Sequence, residues 1–246
     1  MELATIIKRY AEAISAIDEA DHVPRFNQRT GEQYHAGVKS MTESYLVRAI
    51  DEWWGLNYPA DFHPTDSHRI EVPYPVGPRG KCDQVLTTDG DDSIPEWAIE
   101  VKYPQLVGNN GKRNDFAVTK TLSPYRKDRS LHHDVERLRE SPMGRRCAVL
   151  VICFSYTETS CARALERHPQ HEETIREIRD VCRQNGGSLL ASPLAEFADG
   201  ILRVRQLVRT SFVHEPFEAW RHPCGGQGVV FGWEVRLESH DAERKW

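Results

Sequence analysis

No stretch of this chain approaches 18 consecutive apolar residues, so nothing in it reads as a membrane-spanning helix. Met1 is followed by an amphipathic segment instead of a secretory leader, and a cytoplasmic protein is expected. No two of the cysteines, at 82, 147, 153, 161, 182 and 224, form a Cys-x-x-Cys pair. With Cys147 and Cys153 in or beside an apolar run, the spacing argues for reduced, packed thiols over a disulfide framework. A Gly-rich phosphate loop, a dinucleotide fingerprint and a Ser-His-Asp ordering are all missing. Their absence removes common nucleotide-binding and acyl-transfer chemistries. Positive net charge is missing too. The formal charge is −5, a mild argument against nucleic acid as a partner unless the bases gather on one face. Internal repeats, low-complexity tracts and domain linkers are lacking, so residues 1–246 read as a single domain.

What the chain does have is material for a core, 39% hydrophobic residues against 28% charged. Leu3, Ile6, Ile7, Tyr10, Ile14 and Ile17 recur near helical spacing and predict a helix over 2–20. Residues 21–39, broken by Pro24, Gly31 and Gly37, read as a loop, and 41–54 as a second helix. Strands are expected at 67–72 and 80–87 around a Pro- and Gly-rich turn, then at 97–103 between Pro95 and Pro104. A long polar connection follows over 104–129. Ser130 can cap a helix over 131–140, and residues 147–154 are apolar enough for a strand covered on both faces. Helices over about 171–184 and 193–208, the latter opening on Ser192 and Pro193, lead to an alternating strand from Val229 to Leu237.

Side chains alternate along a strand, so Ala98, Glu100 and Lys102 share the face opposite Trp97, Ile99 and Val101. Two opposite charges therefore leave an otherwise apolar strand together. A solvated ion pair on an edge strand would explain that and contribute at most about 1 kcal/mol. A buried pair needs a partner, a metal or a wet cleft. Asp83 lies on the strand upstream, and Asp89-Gly90-Asp91-Asp92 between the two is a turn signal. A hairpin sets Asp83 opposite the Glu100 strand, about 4.8 Å away. Two carboxylates so placed suit Mg²⁺, a hard cation that keeps waters for its substrate, with the Val101 carbonyl directed at the same ion.

An acid on one strand and Glu-x-Lys on the next, in the order helix, three strands, helix, strand, resembles the PD-(D/E)XK nuclease superfamily. The matching residues are Asp83, Glu100 and Lys102, and the resemblance covers about residues 41–154. Cys82 stands where the family name places proline. The resemblance implies an α/β fold with a restriction-endonuclease-like core (αβββαβ, a mixed central sheet flanked by helices), here with a C-terminal α/β extension over about 155–246. It implies a Mg²⁺-dependent DNA endonuclease, with Mn²⁺ able to substitute, of the kind that acts as a stand-alone restriction enzyme or an anti-phage defence nuclease. Asp83 and Glu100 would bind one or two ions, and Lys102 would orient or help activate the attacking water. Cutting two strands needs two active sites, so a homodimer is expected. A catalytically inactive relative that binds nucleic acid or protein is the rival expectation, and an RNA-directed nuclease a third.

Glu43 is the expected fourth catalytic member, since Glu43, Val47, Ile50 and Trp54 follow one helical face. Ser40-Met41-Thr42-Glu43 also fits a capping box, which would give Glu43 a purely structural task. Beyond Lys102, residues 108–130 carry Lys112, Arg113, Lys120, Arg126, Lys127 and Arg129 against only Asp115 and Asp128. Phosphate contacts would account for this excess, with Lys120 central and Asn109-Asn110-Gly111 lending mobility; a solvated loop is the plainer alternative. His168 and His171, with Cys161 and Cys182 near in sequence, lack the paired spacing of a zinc site. His132 and His133, at the start of a helix near the basic loop, read as surface residues, with a substrate contact as the alternative. Trp53 and Trp54 could stack on bases, but as neighbours on an amphipathic helix at least one reads as core.

Overall fold

The computed structural model describes all residues except 24, 27–30, 32, 64–67, 76–79, 89–94, 124–129, 141–142, 185–190 and 238–246, and omits the side chains of 68 and 115–117. In chain order the helices are α1 (Leu3–Ala20), α2 (Glu43–Asn57), α3 (Asp115–Leu122), α4 (Leu131–Glu140), α5 (Glu158–Arg167), α6 (Glu172–Gln184) and α7 (Ala191–Val204). The strands are β1 (Arg25–Phe26), β2 (Gln33–Tyr34), β3 (His68–Pro73), β4 (Lys81–Leu86), β5 (Trp97–Lys102), β6 (Arg146–Phe154), β7 (Val213–Ala219) and β8 (Gly226–Val235). Six of them form one mixed sheet in the order β3-β4-β5-β6-β8-β7, and β1 pairs with β2 apart from it.

Only β5 and β6 run parallel; every other neighbouring pair in that sheet is antiparallel. A parallel pair needs a long crossover, and the segment containing α3 and α4 supplies it. α1 and α2 cover one face. There Trp97 Nε1 reaches the Met1 carbonyl, and buried Gln84 bonds Tyr10 at 2.6 Å and Asp51 at 2.7 Å. α4 and α7 cover the other, where Arg137 meets Glu100 and Asp199 accepts from Trp233 Nε1 at 2.9 Å. The molecule is α/β, with a mixed six-stranded sheet between helical layers.

The cause is visible in the strands. β6 is buried along nearly its whole length, as an interior strand with helices on both sides must be. Large side chains fill the two layers, with Trp54, Trp97, Trp233, Tyr10 and Phe231 all under 2% exposed. Trp54 is the core member of its pair, and Trp53 packs half-buried against the same cluster. All six cysteines are buried and free. No helix among the described residues is long and apolar enough to cross a membrane.

Several expectations need correction. Residues 21–39 hold the β1–β2 pair, and the connection after β5 contains α3. α5 and β7 are additional elements, and α7 starts at Ala191, which puts Ser192 inside the helix instead of at its cap. β5 lies in the sheet interior, between β4 and β6, so the edge-strand reading of Glu100 and Lys102 fails. His132 is buried at 8% exposure, with Arg205 beside its ring, and is not a surface residue.

Candidate active site

β4 and β5 pair at Leu86–Trp97, Val85–Ala98 and Gln84–Ile99, and the ladder ends there. β4 stays with β3 as far as Lys81 but parts from β5 at Asp83. Two side chains of β4 then take over the backbone groups of β5. The Val101 amide donates to Asp83 Oδ2 at 2.7 Å, and the Cys82 thiol donates to the Ile99 carbonyl at 3.3 Å. Backbone groups left unpaired at this depth are costly, and Asp83 removes that cost while its carboxylate stays half-exposed. The strand parting is what gives the carboxylate its place.

On the face covered by α4, Glu100 is 1% exposed. Its Oε1 accepts from the Tyr74 hydroxyl at 2.5 Å and from Arg137 at 2.6 Å. Lys102 Nζ lies 2.5 Å from Asp134 Oδ2 and 3.4 Å from the Val101 carbonyl. Arg137 also reaches Asp134, at 3.0 Å. Asp134 and Arg137 are three residues apart on α4, so one helical turn presents both charges to the sheet. Asp134 sits on the stripe made by Leu131, Val135 and Leu138.

Glu43 joins from α2. The N-cap of this helix is Thr42, whose hydroxyl accepts from the Tyr45 amide at 3.3 Å. Glu43 is therefore the first helical residue, and the capping-box alternative is overturned. Its carboxylate instead accepts from the Tyr103 amide at 2.8 Å, one residue past Lys102.

The electrostatics follow from this packing. Burial raises the pKa of Glu100 well above its ordinary range, with repulsion from Asp134 and Asp83 adding to it, despite Arg137 and Tyr74. Burial also raises Asp134, against the pull of Lys102 and Arg137. Glu43 is raised by burial first, and Asp83 adds to it while Lys102 opposes. Burial works to discharge Lys102, yet Asp134, Glu43 and Glu100 outweigh it and hold the ammonium above its usual range. Among the described residues, four carboxylates thus face two bases. Of the groups described, the pocket holds more acidic ones than basic ones, and the raised pKa values of three of the acids reflect that crowding together with burial.

No family model, curated protein or solved structure matches this chain.

Whether the pocket suits a divalent metal is therefore a question for its donors. Among the described residues, no group of three or more histidine, cysteine or acidic side chains is spaced to hold a metal ion. Asp83 and Glu100 do meet the smaller requirement of Mg²⁺, one or two hard carboxylates with waters and substrate oxygens completing the shell. The charge excess around Glu100 is of the sign that a cation relieves. By donor chemistry and charge the residues fit.

Of the sequence-expected residues, Asp83, Glu100, Lys102 and Glu43 come together. Val101 takes part through its amide to Asp83, while its carbonyl faces the Lys102 ammonium. The basic residues fare differently. Arg113 is paired with Glu177, Lys120 is exposed on the last turn of α3, and Lys112 is exposed on a turn away from the acids. Arg126 and Lys127 lie outside the described residues. The expected mobile loop at Asn109-Asn110-Gly111 is a closed turn, with Gly108 and Lys112 bonded at 2.8 Å and a bridge between Val107 and Arg113. Tyr74, Asp134 and Arg137 were not expected. An acid on the apolar stripe of α4 was the available signal for Asp134, and it is the same signal that singled out Glu43.

Proposed function

We propose that this chain is a Mg²⁺-dependent DNA endonuclease built on a restriction-endonuclease-like core. One observation carries the reading: Asp83, Glu100 and Lys102 meet where β4 leaves β5, in a pocket whose acids outnumber its bases among the described residues. Asp83 and Glu100 would hold the ion. Bound there, it would neutralise phosphate charge and lower the pKa of an attacking water.

The chain's own residues divide the remaining work. Lys102, kept charged by Asp134, donates hydrogen bonds to a phosphoryl oxygen or to the attacking water, and contributes positive charge where negative charge grows. Its protonation makes it a poor general base. Asp134 is a positioning residue that fixes the Lys102 ammonium. Glu43 fixes the backbone after Lys102 through Tyr103, and burial raises its pKa above the ordinary carboxylate range. Arg137 and Tyr74 hold the Glu100 carboxylate in one orientation.

Hydrolysis of both strands by a homodimer, and a role in restriction or defence against phage DNA, belong to the same proposal. The contact that favours the rival, a non-catalytic binding protein, is Arg137 itself, because it already neutralises Glu100. Plasmid cleavage decides between the two. Wild type should nick or linearise supercoiled DNA with Mg²⁺ or Mn²⁺ and stop in chelator, while Asp83→Asn and Lys102→Met fall at least about 100-fold, as expected when a transition-state contact is lost. Offering RNA alongside DNA tests the substrate class. No cleavage of either by folded wild type would leave the binding-protein reading standing.

A further inference from the structure

A cavity of about 470 Å³ lies apart from the acidic pocket, between β2, the 107–113 turn and the junction of α5 with α6. Nine of the described residues line it, and none of these is acidic. Four contribute rings: Tyr34, His35, His168 and His171. The His35 and His168 rings stand 6.5 Å apart and nearly perpendicular, while His168 and His171 lie 6.4 Å apart and tilted by only 34°. Four more are carboxamides, among them Asn109 and Asn110, and the last is Lys112.

The wall is preformed. The Gly111 amide bonds Gly108 at 3.1 Å, and the Lys112 amide bonds Asn110 Oδ1 at 3.1 Å. Gly111 has φ +79°, and a β-carbon there would lie 2.8 Å from the His168 ring, so the turn and the ring are fitted closely together. His168 Nε2 is buried and has no hydrogen-bond partner among the described residues. Three histidines suggest a metal, but no such set among the described residues has the required spacing.

We propose that this cavity binds a nucleoside phosphate, with the base against the rings and carboxamides and the phosphate on Lys112. Aromatic faces stack on any base, and carboxamides, which both donate and accept, match base edges. The volume lies within the roughly 300–1,000 Å³ usual for ligand sites. None of the described lining residues repels a phosphate. The same chemistry serves a free nucleotide or one nucleotide of a strand. It does not depend on the nuclease reading, because no residue of the acidic pocket takes part.

The test uses the full chain in chelator, so that nothing is cut. A deoxynucleoside 5′-monophosphate, a deoxynucleoside, inorganic phosphate and a short single-stranded oligonucleotide are titrated separately. Histidine ring resonances and calorimetry provide the readouts. The monophosphate or the oligonucleotide should shift His35, His168 and His171, and should bind at least tenfold more tightly than phosphate or nucleoside alone. The exposed substitution Lys112→Ala should weaken that binding at least tenfold. Saturation by the monophosphate identifies a free nucleotide as the ligand, and binding of the oligonucleotide alone identifies a strand. The proposal is overturned if those resonances stay still in all four titrations, if phosphate alone binds as tightly, or if Lys112→Ala binds unchanged. Plasmid cleavage, measured separately, keeps its outcome distinct from that of the nuclease reading.

Discussion

Replacing Glu100 with glutamine removes a charge from a position 1% exposed to solvent and keeps the shape of the side chain. Stripping water from an unpaired carboxylate costs several kcal/mol. Arg137 at 2.6 Å and the Tyr74 hydroxyl at 2.5 Å return much of that, but repulsion from Asp134 and Asp83 does not let them return all of it. A residual penalty of about 1–2 kcal/mol is expected. For a chain of this size it corresponds to about 2–8 °C in Tm. The sign with pH is fixed. The folded carboxyl has its pKa raised above the ordinary 4.5, so its contribution is complete below that value and is lost as pH rises through the folded value. Thermal melts in chelator from pH 5 to pH 8 should place Glu100→Gln above wild type, with a gap that widens with pH. Adding Mn²⁺ should raise wild type, by about 2.7 kcal/mol at one hundred times its Kd, and leave the variant nearly unchanged. A Glu100→Gln protein that melts clearly below wild type at pH 7.5 would make Glu100 a structural ion-pair member and refute the reasoning.

Other outcomes follow from particular contacts. Lys102 and Asp134, 2.5 Å apart with 15% and 2% of their side chains exposed, should show a coupling of about 2–3 kcal/mol in a urea double-mutant cycle of Lys102→Met with Asp134→Leu; additivity would deny the pair. Burial pushes the Lys39 ammonium down to about 8, so wild-type stability should climb as pH rises from about 8 toward 10.5. Lys39→Met should be more stable at pH 7 and lack that slope; a parallel slope in both proteins would count against it. Gly200 in α7 has open space where a β-carbon would stand, so Gly200→Ala should stabilise by about 0.5–1 kcal/mol. Gly232→Ala should cost about 1–3 kcal/mol, because the new carbon would meet the Val149 carbonyl at 2.5 Å. Equal melting temperatures for the two variants would contradict both assignments.

Apart from α3, the stretch from α2 to β6 was readable because its apolar periodicity is strong and its strands are interrupted by proline and glycine. α5 escaped because its buried face is Ser160, Cys161 and Ala164, too small and polar to mark a stripe. β7 escaped because Pro216 interrupts it and only Phe217 and Ala219 are buried. As an edge strand paired only with β8 it tolerates that proline. Strand parity placed Glu100 and Lys102 on one face, but parity does not reveal that β4 leaves β5 at Asp83. That depends on a side chain replacing a backbone partner, which only three-dimensional packing determines. The partners Tyr74, Asp134 and Arg137 arrive from distant segments for the same reason. Glu43 was undecided between cap and cleft until Thr42 took the cap.

The claim on which the function rests is that Asp83 and Glu100 together hold a divalent cation. Titrating the metal-free chain with Mn²⁺ and counting free ion by electron paramagnetic resonance tests it without needing a substrate. One or two ions should bind per chain at sub-millimolar to millimolar concentration, with affinity at least tenfold weaker in Asp83→Asn and in Glu100→Gln. Absence of bound Mn²⁺ at several millimolar, or equal binding by wild type and both variants, would contradict it.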